Sequence, residues 1–264
     1  MIISASRRCD IPNYQSDWFY EAIKSQELTF PQNLFLGKRI PLKKEDVDCI
    51  VFWTKNPEPM LYRLHELDGY HYYFQFTLTG HSRKIEPGVP DKIHMLEVFK
   101  NLSVMTSLEQ VIWRYDPIFL SKEYDLDYHK KAFQKIAESL DGYTKRCVIS
   151  FVDIYGHVKP GLEKLGIREP SWPEIQYLAE CLSETARKHG ISVETCAERA
   201  DLSAYGINKT HCIDAALIES LTGKKISPAK DPTQRPVCGC CKSIDIGNYK
   251  TCKNGCVYCY ATKG

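Results

Sequence analysis

Short apolar runs recur along the chain, and each is followed by a polar turn and then by a segment with helical spacing. The runs are rich in β-branched and aromatic residues, which favours strands over short helices. The predicted strands lie near residues 2–9, 49–54, 70–79, 111–115, 146–153 and 191–196. Their regular alternation with helical segments predicts parallel strands joined by helical crossovers.

Helical spacing and capping residues mark the segments between these strands. SDWFYEAIKSQ can be capped by Ser16 or Asp17, and SWPEIQYLAECLSETARKHG closes on Gly190. The other predicted helices are NPEPMLYRLHEL, DKIHMLEVFKNL, DLDYHKKAFQKIAESL and DAALIESLTG. Six strand-and-helix units favour an α/β fold, and we expect a partial (β/α)6 TIM-like barrel. A doubly wound sheet is the competing arrangement.

The composition changes after residue 223. The segment that follows is rich in proline, glycine, lysine and cysteine, and it contains no long apolar run. Bound metal could order such a segment, because the free energy of ligation is also free energy of folding. We therefore expect residues 1–223 to form the barrel and residues 224–264 to form a cysteine-rich tail over its mouth.

The charge balance and the apolar pattern indicate neither a nucleic-acid partner nor an export or membrane segment. The 35 Lys and Arg residues nearly balance the 33 Asp and Glu residues, so a nucleic-acid surface is not indicated. Asp10 and Pro12 follow the Arg7–Arg8 pair where an export signal would be apolar, and no apolar run reaches membrane-spanning length. We expect a cytoplasmic protein, in which the 12 cysteines do not form a disulfide framework. Metal or redox chemistry better explains those clustered in the tail, whereas Cys49, Cys147 and Cys181 lie in apolar patterns and are expected in the core.

The last 14 residues, TCKNGCVYCYATKG, contain the most specific motif. Cys252, Cys256 and Cys259 have the spacing C-x3-C-x2-C. Three thiolates can occupy three corners of an iron–sulfur cubane and leave the fourth iron without a protein ligand. A structural zinc site, in contrast, requires four ligands.

This motif resembles a known superfamily. Cys252-x3-Cys256-x-Tyr258-Cys259 is similar to the cluster motif of radical S-adenosylmethionine enzymes, and CVYCYA resembles the spore photoproduct lyase branch. Nearly the full chain resembles the bacterial domain of unknown function 1848. The matching stretches are ISASRRCDIP, VDCIVFWTKNP, YYFQFTLTG, VIWRYDPI, ISFVDIY, TCAE and the tail. The cluster loop of the superfamily normally follows the first strand, whereas here it follows all six.

The resemblance implies a [4Fe-4S] cluster held by the three tail cysteines, with S-adenosylmethionine chelating the open iron. Reductive cleavage would release a 5′-deoxyadenosyl radical that acts on an unknown substrate. A donor such as flavodoxin or ferredoxin would supply the electron. Tyr258 is then expected beside the adenine. By their location at strand exits, Gln75, Thr77 and Arg114 are candidate cofactor contacts, and Asp10 and Asp116 are candidate catalytic carboxylates.

A second group of cysteines is separate from the motif. Cys196, Cys212, Cys238 and Cys240 could ligate a second, fully coordinated iron–sulfur cluster, with Cys241 able to replace either neighbour. A structural zinc ion with the same ligands and unligated thiols are the alternatives.

Other residues suggest weaker hypotheses. At the first strand exit, Arg7 and Arg8 could bind a carboxylate or phosphate, and alternation along a strand predicts that only one of them faces inward. His129, His189 and His211 are expected at the surface or at helix ends. The alternative function is a zinc-stapled nucleic-acid-binding module without radical chemistry.

Overall fold

The structure, a computed structural model, describes residues 1–29 and 39–262 of the chain. The strands are β1 (Ile2–Ala5), β2 (Glu27–Thr29), β3 (Arg39–Pro41), β4 (Cys49–Thr54), β5 (Tyr72–Thr77), β6 (Val111–Ile118), β7 (Arg146–Phe151), β8 (Ser192–Cys196), β9 (Asn208–Thr210) and β10 (Ile244–Asp245). The helices are α1 (Ile11–Tyr14), α2 (Ser16–Ser25), α3 (Glu58–Leu61), α4 (Lys92–Met105), α5 (Leu126–Ser139), α6 (Lys159–Lys164), α7 (Trp172–Lys188) and α8 (Ala215–Thr222).

Eight of the strands form one parallel sheet in the order β10-β1-β4-β5-β6-β7-β8-β9. The predicted α/β class is confirmed. From β1 to β8 the strands follow one another in chain order, without the reversal that a doubly wound sheet requires. The two edge strands, β9 and β10, were not predicted from the sequence. Strands β2 and β3 form a separate antiparallel pair.

One face of the sheet packs against the long helices. Alternate strand residues such as Phe52 and Trp113 point to this face and are fully buried. Phe52 stacks on Phe74 with ring centroids 4.7 Å apart, and Trp113 stacks on Phe133 of α5 at 4.6 Å. Aromatic pairs of this kind add to the hydrophobic stabilisation that burial provides.

The opposite face of the sheet forms a second apolar cluster. Strands β1, β4, β5, β6, β7 and β8 contribute Ile2, Cys49, Val51, Tyr73, Ile112, Val148 and Cys196 to it. Ile213 and Ile218 cover this face from α8 and the loop before it, together with Cys238, Cys240 and Cys241 of the tail. The tail has no apolar run of its own, but its cysteines belong to this apolar cluster.

The predicted helix NPEPMLYRLHEL is broken into two short pieces. Helix α3 is followed by a 3-10 turn over Leu64–Leu67. Backbone hydrogen bonds from Met60 N to Pro57 O and from Arg63 N to Met60 O span three residues, as in a 3-10 turn. Pro59 has no backbone N–H to donate, which weakens a regular α-helix here.

The tail joins the sheet through β10, which pairs in parallel with β1 at Ile3 and Ile244. The proposed boundary between residues 223 and 224 stays a prediction. None of the helices in the described ranges combines the length and apolar character needed to cross a membrane.

Candidate metal-binding cavity

The carboxyl ends of the parallel strands open into a cavity of about 960 Å³. Strand exits and the tail both contribute to its wall. The sequence-predicted site residues on this wall are Asp10, Thr77, Arg114, Asp116, Cys196, Cys212, Cys238, Cys240, Cys252, Cys256, Tyr258 and Cys259. Gln75 is fully buried below the wall and does not line the cavity. The structure thus brings twelve of the predicted site residues, with Gln75 beneath them, to one end of the sheet.

Asn254 fixes the loop that carries the three tail cysteines. Its side-chain Nδ2 donates to Asp10 Oδ2 at 3.0 Å, and its Oδ1 accepts a hydrogen bond from the Tyr14 hydroxyl at 2.9 Å. Asp10 Oδ2 also accepts from the backbone N–H of Lys55 at 2.9 Å, and Asp10 Oδ1 caps α1 at Asn13 N. Asp10 therefore connects two strand exits to the loop, and its catalytic role stays a prediction.

A glycine allows the loop to lie close to the strand exits. The backbone N–H of Gly88 donates to Asn254 O at 2.8 Å. A Cβ atom at Gly88 would lie 2.4 Å from Lys253 O and 2.7 Å from Asn254 Cα, which is closer than atoms can pack. Val257 N also donates to Ile85 O at 3.0 Å. The chain around Gly88 is therefore a docking surface for the loop.

The three tail thiols differ in exposure but share one cavity. Cys256 is buried, and Cys252 and Cys259 are half-buried. Burial raises the pKa of the Cys252 thiol, and it raises that of Cys256 to about 12. Metal binding at these thiols would therefore release protons. The sulfur atoms of this trio do not all lie within 4.8 Å of one another, whereas sulfurs around one zinc ion are roughly 3.8 Å apart.

Tyr258 connects the cysteine loop to a buried charge network. Its hydroxyl donates to Glu86, whose carboxylate also pairs with Lys55 at 2.9 Å and with Lys92. Burial alone would raise the pKa of Glu86, but the charges of Lys55 and Lys92 and the nearby His81 ring, whose Nδ1 is 3.5 Å from Oε1, hold it well below its ordinary value. The Tyr258 ring remains on the cavity wall, with Lys55 Nζ 5.7 Å from its centroid.

Arg114 joins the cavity wall to the inner face of the sheet. Its guanidinium pairs with Asp116 and donates to Gln75 Oε1 at 3.2 Å and to Cys212 Sγ at 2.9 Å. Gln75 in turn donates to Cys212 O at 3.0 Å. Asp116 faces the cavity, whereas Gln75 acts beneath it as a partner of Arg114.

A compact group of thiols lies behind Arg114. The ligand atoms of Cys196, Cys212 and Cys240 all lie within 4.8 Å of one another, and Cys212 Sγ is 2.8 Å from Cys196 Sγ. A hydrogen bond with Cys240 lowers the pKa of Cys238 to about 6. Hydrogen bonds with Cys196 and Cys240, together with Arg114, hold the pKa of Cys212 well below its ordinary value. Thiolates are the form that binds metal.

Cys241 does not belong to this group. Its thiol donates to Ile213 O at 3.1 Å, on the other side of the tail backbone. Cys241 is absent from the cavity wall, whereas Cys238 and Cys240 lie on it. The two tail cysteines on the cavity wall, Cys238 and Cys240, therefore have the spacing C-x-C.

Arg7 and Arg8 both lie on the cavity wall, so the prediction that only one would face inward is wrong. Strand β1 ends at Ala5, and alternation along a strand does not extend beyond its end. Arg7 Nη2 donates to Ser243 Oγ at 3.2 Å, while Arg7 Nη1 is buried and has no partner among the described residues. A buried unpaired donor on a cavity wall fits a ligand oxygen.

His129 is fully buried, so its predicted surface position is wrong. Its Nε2 contacts Phe119 O at 2.7 Å, and its Nδ1 contacts the Tyr115 hydroxyl at 3.0 Å. Burial lowers the pKa of His129 to about 4. His129 is therefore a core histidine with both ring nitrogens paired.

The fold and the site define an α/β protein with a cysteine-lined cavity at the carboxyl ends of a parallel sheet. The chain belongs to the family described as Domain of unknown function (DUF1848), whose model matches residues 2–261. A search of the curated proteins finds no match. Four solved chains match, and one is the crystal structure of a candidate alpha-L-fucosidase from Bacteroides thetaiotaomicron VPI-5482. It shares 11% identity over 76% of this chain and 73% of that chain, with a TM-score of 0.32, which carries no argument about fold or activity.

Proposed function

We propose that the protein is a radical S-adenosylmethionine enzyme whose [4Fe-4S] cluster is held by Cys252, Cys256 and Cys259. The observation that carries this proposal is the position of these three cysteines on the wall of one large cavity at the strand ends. When bound, the cluster and S-adenosylmethionine would supply a 5′-deoxyadenosyl radical.

The donor set fits such a cluster. Three thiols provide three corners of a cubane, and none of the described histidines lies on the cavity wall to fill the fourth. The wider spacing of the tail thiols also suits a cubane, because each of its thiolates binds a different iron. The cavity volume leaves room for a nucleoside beside the cluster.

This chain's own residues would hold the loop and bind the cofactor's polar groups. Asp10 and Asn254 fix the loop between Cys252 and Cys256. The unpaired Nη1 of Arg7 is available to a carboxylate, such as that of the methionine moiety or of the substrate. Thr77 and Asp116 offer further polar groups on the wall, and Tyr258 offers an aromatic face.

The proposal includes a partial (β/α)6 barrel as the finer description of the fold. Inward side chains of β1, β4, β5, β6, β7 and β8 belong to one cluster, as expected when a sheet curls around its own side chains. Such a curved sheet would shield a radical from solvent.

Counting iron and acid-labile sulfide after anaerobic reconstitution tests the proposal. We expect the wild type to bind a cluster, and the variant Cys252→Ala/Cys256→Ala/Cys259→Ala to lose about four irons and about four sulfides per chain. Cys9→Ala is the matched control, because Cys9 lies on the same wall but contacts Gln15 Oε1. Equal iron and sulfide in the wild type and the triple variant would overturn the assignment.

A further inference from the structure

We propose that Cys196, Cys212, Cys238 and Cys240 hold a single tetrahedral divalent metal ion, for which zinc is the fitting ion, at the wall of the large cavity. This inference is independent of radical chemistry at the tail motif. It also differs from the second iron–sulfur cluster that the sequence suggests at the same cysteines.

The spacing of the sulfur atoms favours one ion over a cubane. Zinc–sulfur bonds of about 2.3 Å in a tetrahedron place the sulfurs roughly 3.8 Å apart. Cys196, Cys212 and Cys240 have sulfurs within 4.8 Å of one another, so they already surround a volume of that size. In a cubane, each thiolate binds a separate iron at its own corner, and the sulfurs must diverge.

Cys238 supplies the fourth sulfur. It lies two residues before Cys240, and its side chain belongs to the same buried cluster as those of Cys196, Cys212 and Cys240. Gly239 lies between them, where a Cβ atom would be 2.1 Å from Cε1 of His211. The absence of a side chain at Gly239 therefore allows this C-x-C segment to lie against the loop that carries Cys212.

The surroundings of the sulfurs are those of an anionic metal site. Four thiolates around a divalent ion leave two negative charges, which buried surroundings must offset. Arg114 Nη1 donates to Cys212 Sγ at 2.9 Å, and the backbone N–H of Ile213 donates to Cys240 Sγ at 3.4 Å. Hydrogen bonds of this kind orient and stabilise metal ligands.

The bound ion would join three separate parts of the chain. Cys196 ends β8, Cys212 precedes α8, and Cys238 and Cys240 belong to the tail. The segment around Cys238 has little apolar surface of its own, so ligation would contribute directly to its folding. Through Arg114, the ion would also fix the position of Asp116 on the cavity wall.

Measuring the metal bound by a variant that lacks the three tail cysteines tests this proposal without the tail cluster. In the variant Cys252→Ala/Cys256→Ala/Cys259→Ala, supplied with zinc alone, we expect about one ion per chain and no acid-labile sulfide. Adding Cys212→Ser or Cys240→Ser should remove that ion, and adding Cys241→Ser should not, because Cys241 contacts Ile213 O. Cobalt in place of zinc should show the visible absorption of tetrahedral thiolate coordination.

Cys238→Ser, added to the triple variant, keeps the experiment decisive if the Cys212→Ser and Cys240→Ser variants do not fold. This protein retains the sulfurs of Cys196, Cys212 and Cys240. We expect it to bind zinc at least about tenfold more weakly than the triple variant without Cys238→Ser. Iron and acid-labile sulfide bound to the triple variant after anaerobic reconstitution with iron and sulfide would overturn the proposal in favour of a second cluster. Failure of zinc to bind, or a disulfide between Cys196 and Cys212 that persists in the presence of a thiol reductant, would overturn it as well. None of these readouts uses S-adenosylmethionine, so the proposed radical function can fail or succeed separately.

Discussion

Asn254 Nδ2 donates a hydrogen bond to Asp10 Oδ2 across 3.0 Å, although 244 positions separate the two residues in the chain. Asp10 follows the first strand, and Asn254 lies inside the motif of Cys252, Cys256 and Cys259. This contact holds the cysteine loop at the carboxyl end of the sheet. A loop that is last in the sequence thereby takes a position next to the first strand.

Asn254→Ala should weaken cluster binding without removing a ligand. The change deletes the hydrogen bonds to the buried carboxylate of Asp10 and to the Tyr14 hydroxyl, at a cost of about 1–3 kcal/mol in the docking of the loop. We expect less iron per chain after limited anaerobic reconstitution than in the wild type. Asn248→Ala is the control, because Asn248 lies outside the loop and its side chain makes no such contacts in the described structure. Equal iron in both variants would contradict this role for Asn254.

Gly88→Ala should displace the cysteine loop by collision. The added methyl group would meet Lys253 O at 2.4 Å, and the backbone atoms on both sides have little freedom to move. We expect faster proteolysis of the tail and lower iron incorporation. Gly161→Ala is the matched control, since a Cβ atom there has no neighbour within 4 Å. Unchanged tail proteolysis in Gly88→Ala would show that the loop docks elsewhere.

Glu86→Gln should be strongly destabilising. Glu86 is fully buried, and its loss of charge would leave Lys55 and Lys92 without their shared partner, at a cost of about 3 kcal/mol. Urea unfolding of the reduced, metal-free protein measures this cost. In the control Glu97→Gln, an exposed pair with Lys100 is lost, and we expect a change below about 1 kcal/mol. Similar unfolding midpoints for the two variants would contradict a structural role for the Glu86 network.

His129 should make the protein less stable in mild acid. Its folded pKa of about 4 lies below the ordinary value of 6.5, so the unfolded chain takes up the proton first as pH falls. The stability contributed by neutral His129 is complete above pH 6.5 and decreases as the pH falls toward 4, by about 2 kcal/mol between pH 7 and 5. His129→Gln should lose this part of the pH dependence in urea unfolding, whereas the exposed-site control His71→Gln should retain it. An unchanged pH dependence in His129→Gln would refute the assignment.

The main strands of the sheet could be predicted because burial on both faces leaves a strong local signal. Strands β4 to β8 contain short apolar runs, and polar residues such as Thr54 and Asp116 lie at or near the carboxyl ends of β4 and β6. Strand β10 could not be predicted in this way. It has two residues, and its pairing with β1 depends on contacts between Ile3 and Ile244 rather than on its own composition.

The site could be predicted only in part, because some of its contacts depend on packing between distant segments and leave no local signal in the sequence. Cysteine spacing identifies Cys252, Cys256 and Cys259 as a group, and the location of strand ends brings Asp116 and Thr77 to the same cavity. Asn254 carries no sequence signal beyond its place between two cysteines. The burial of His129 and the position of Gln75 beneath Arg114 depend on packing between distant segments, which local patterns do not encode.

Release of 5′-deoxyadenosine from S-adenosylmethionine by the anaerobically reconstituted, reduced protein tests the central claim most directly. The account predicts release by the wild type and by Cys9→Ala, and none by Cys256→Ala. A wild-type protein that carries a reduced cluster and yet releases no 5′-deoxyadenosine above the level of Cys256→Ala would contradict it.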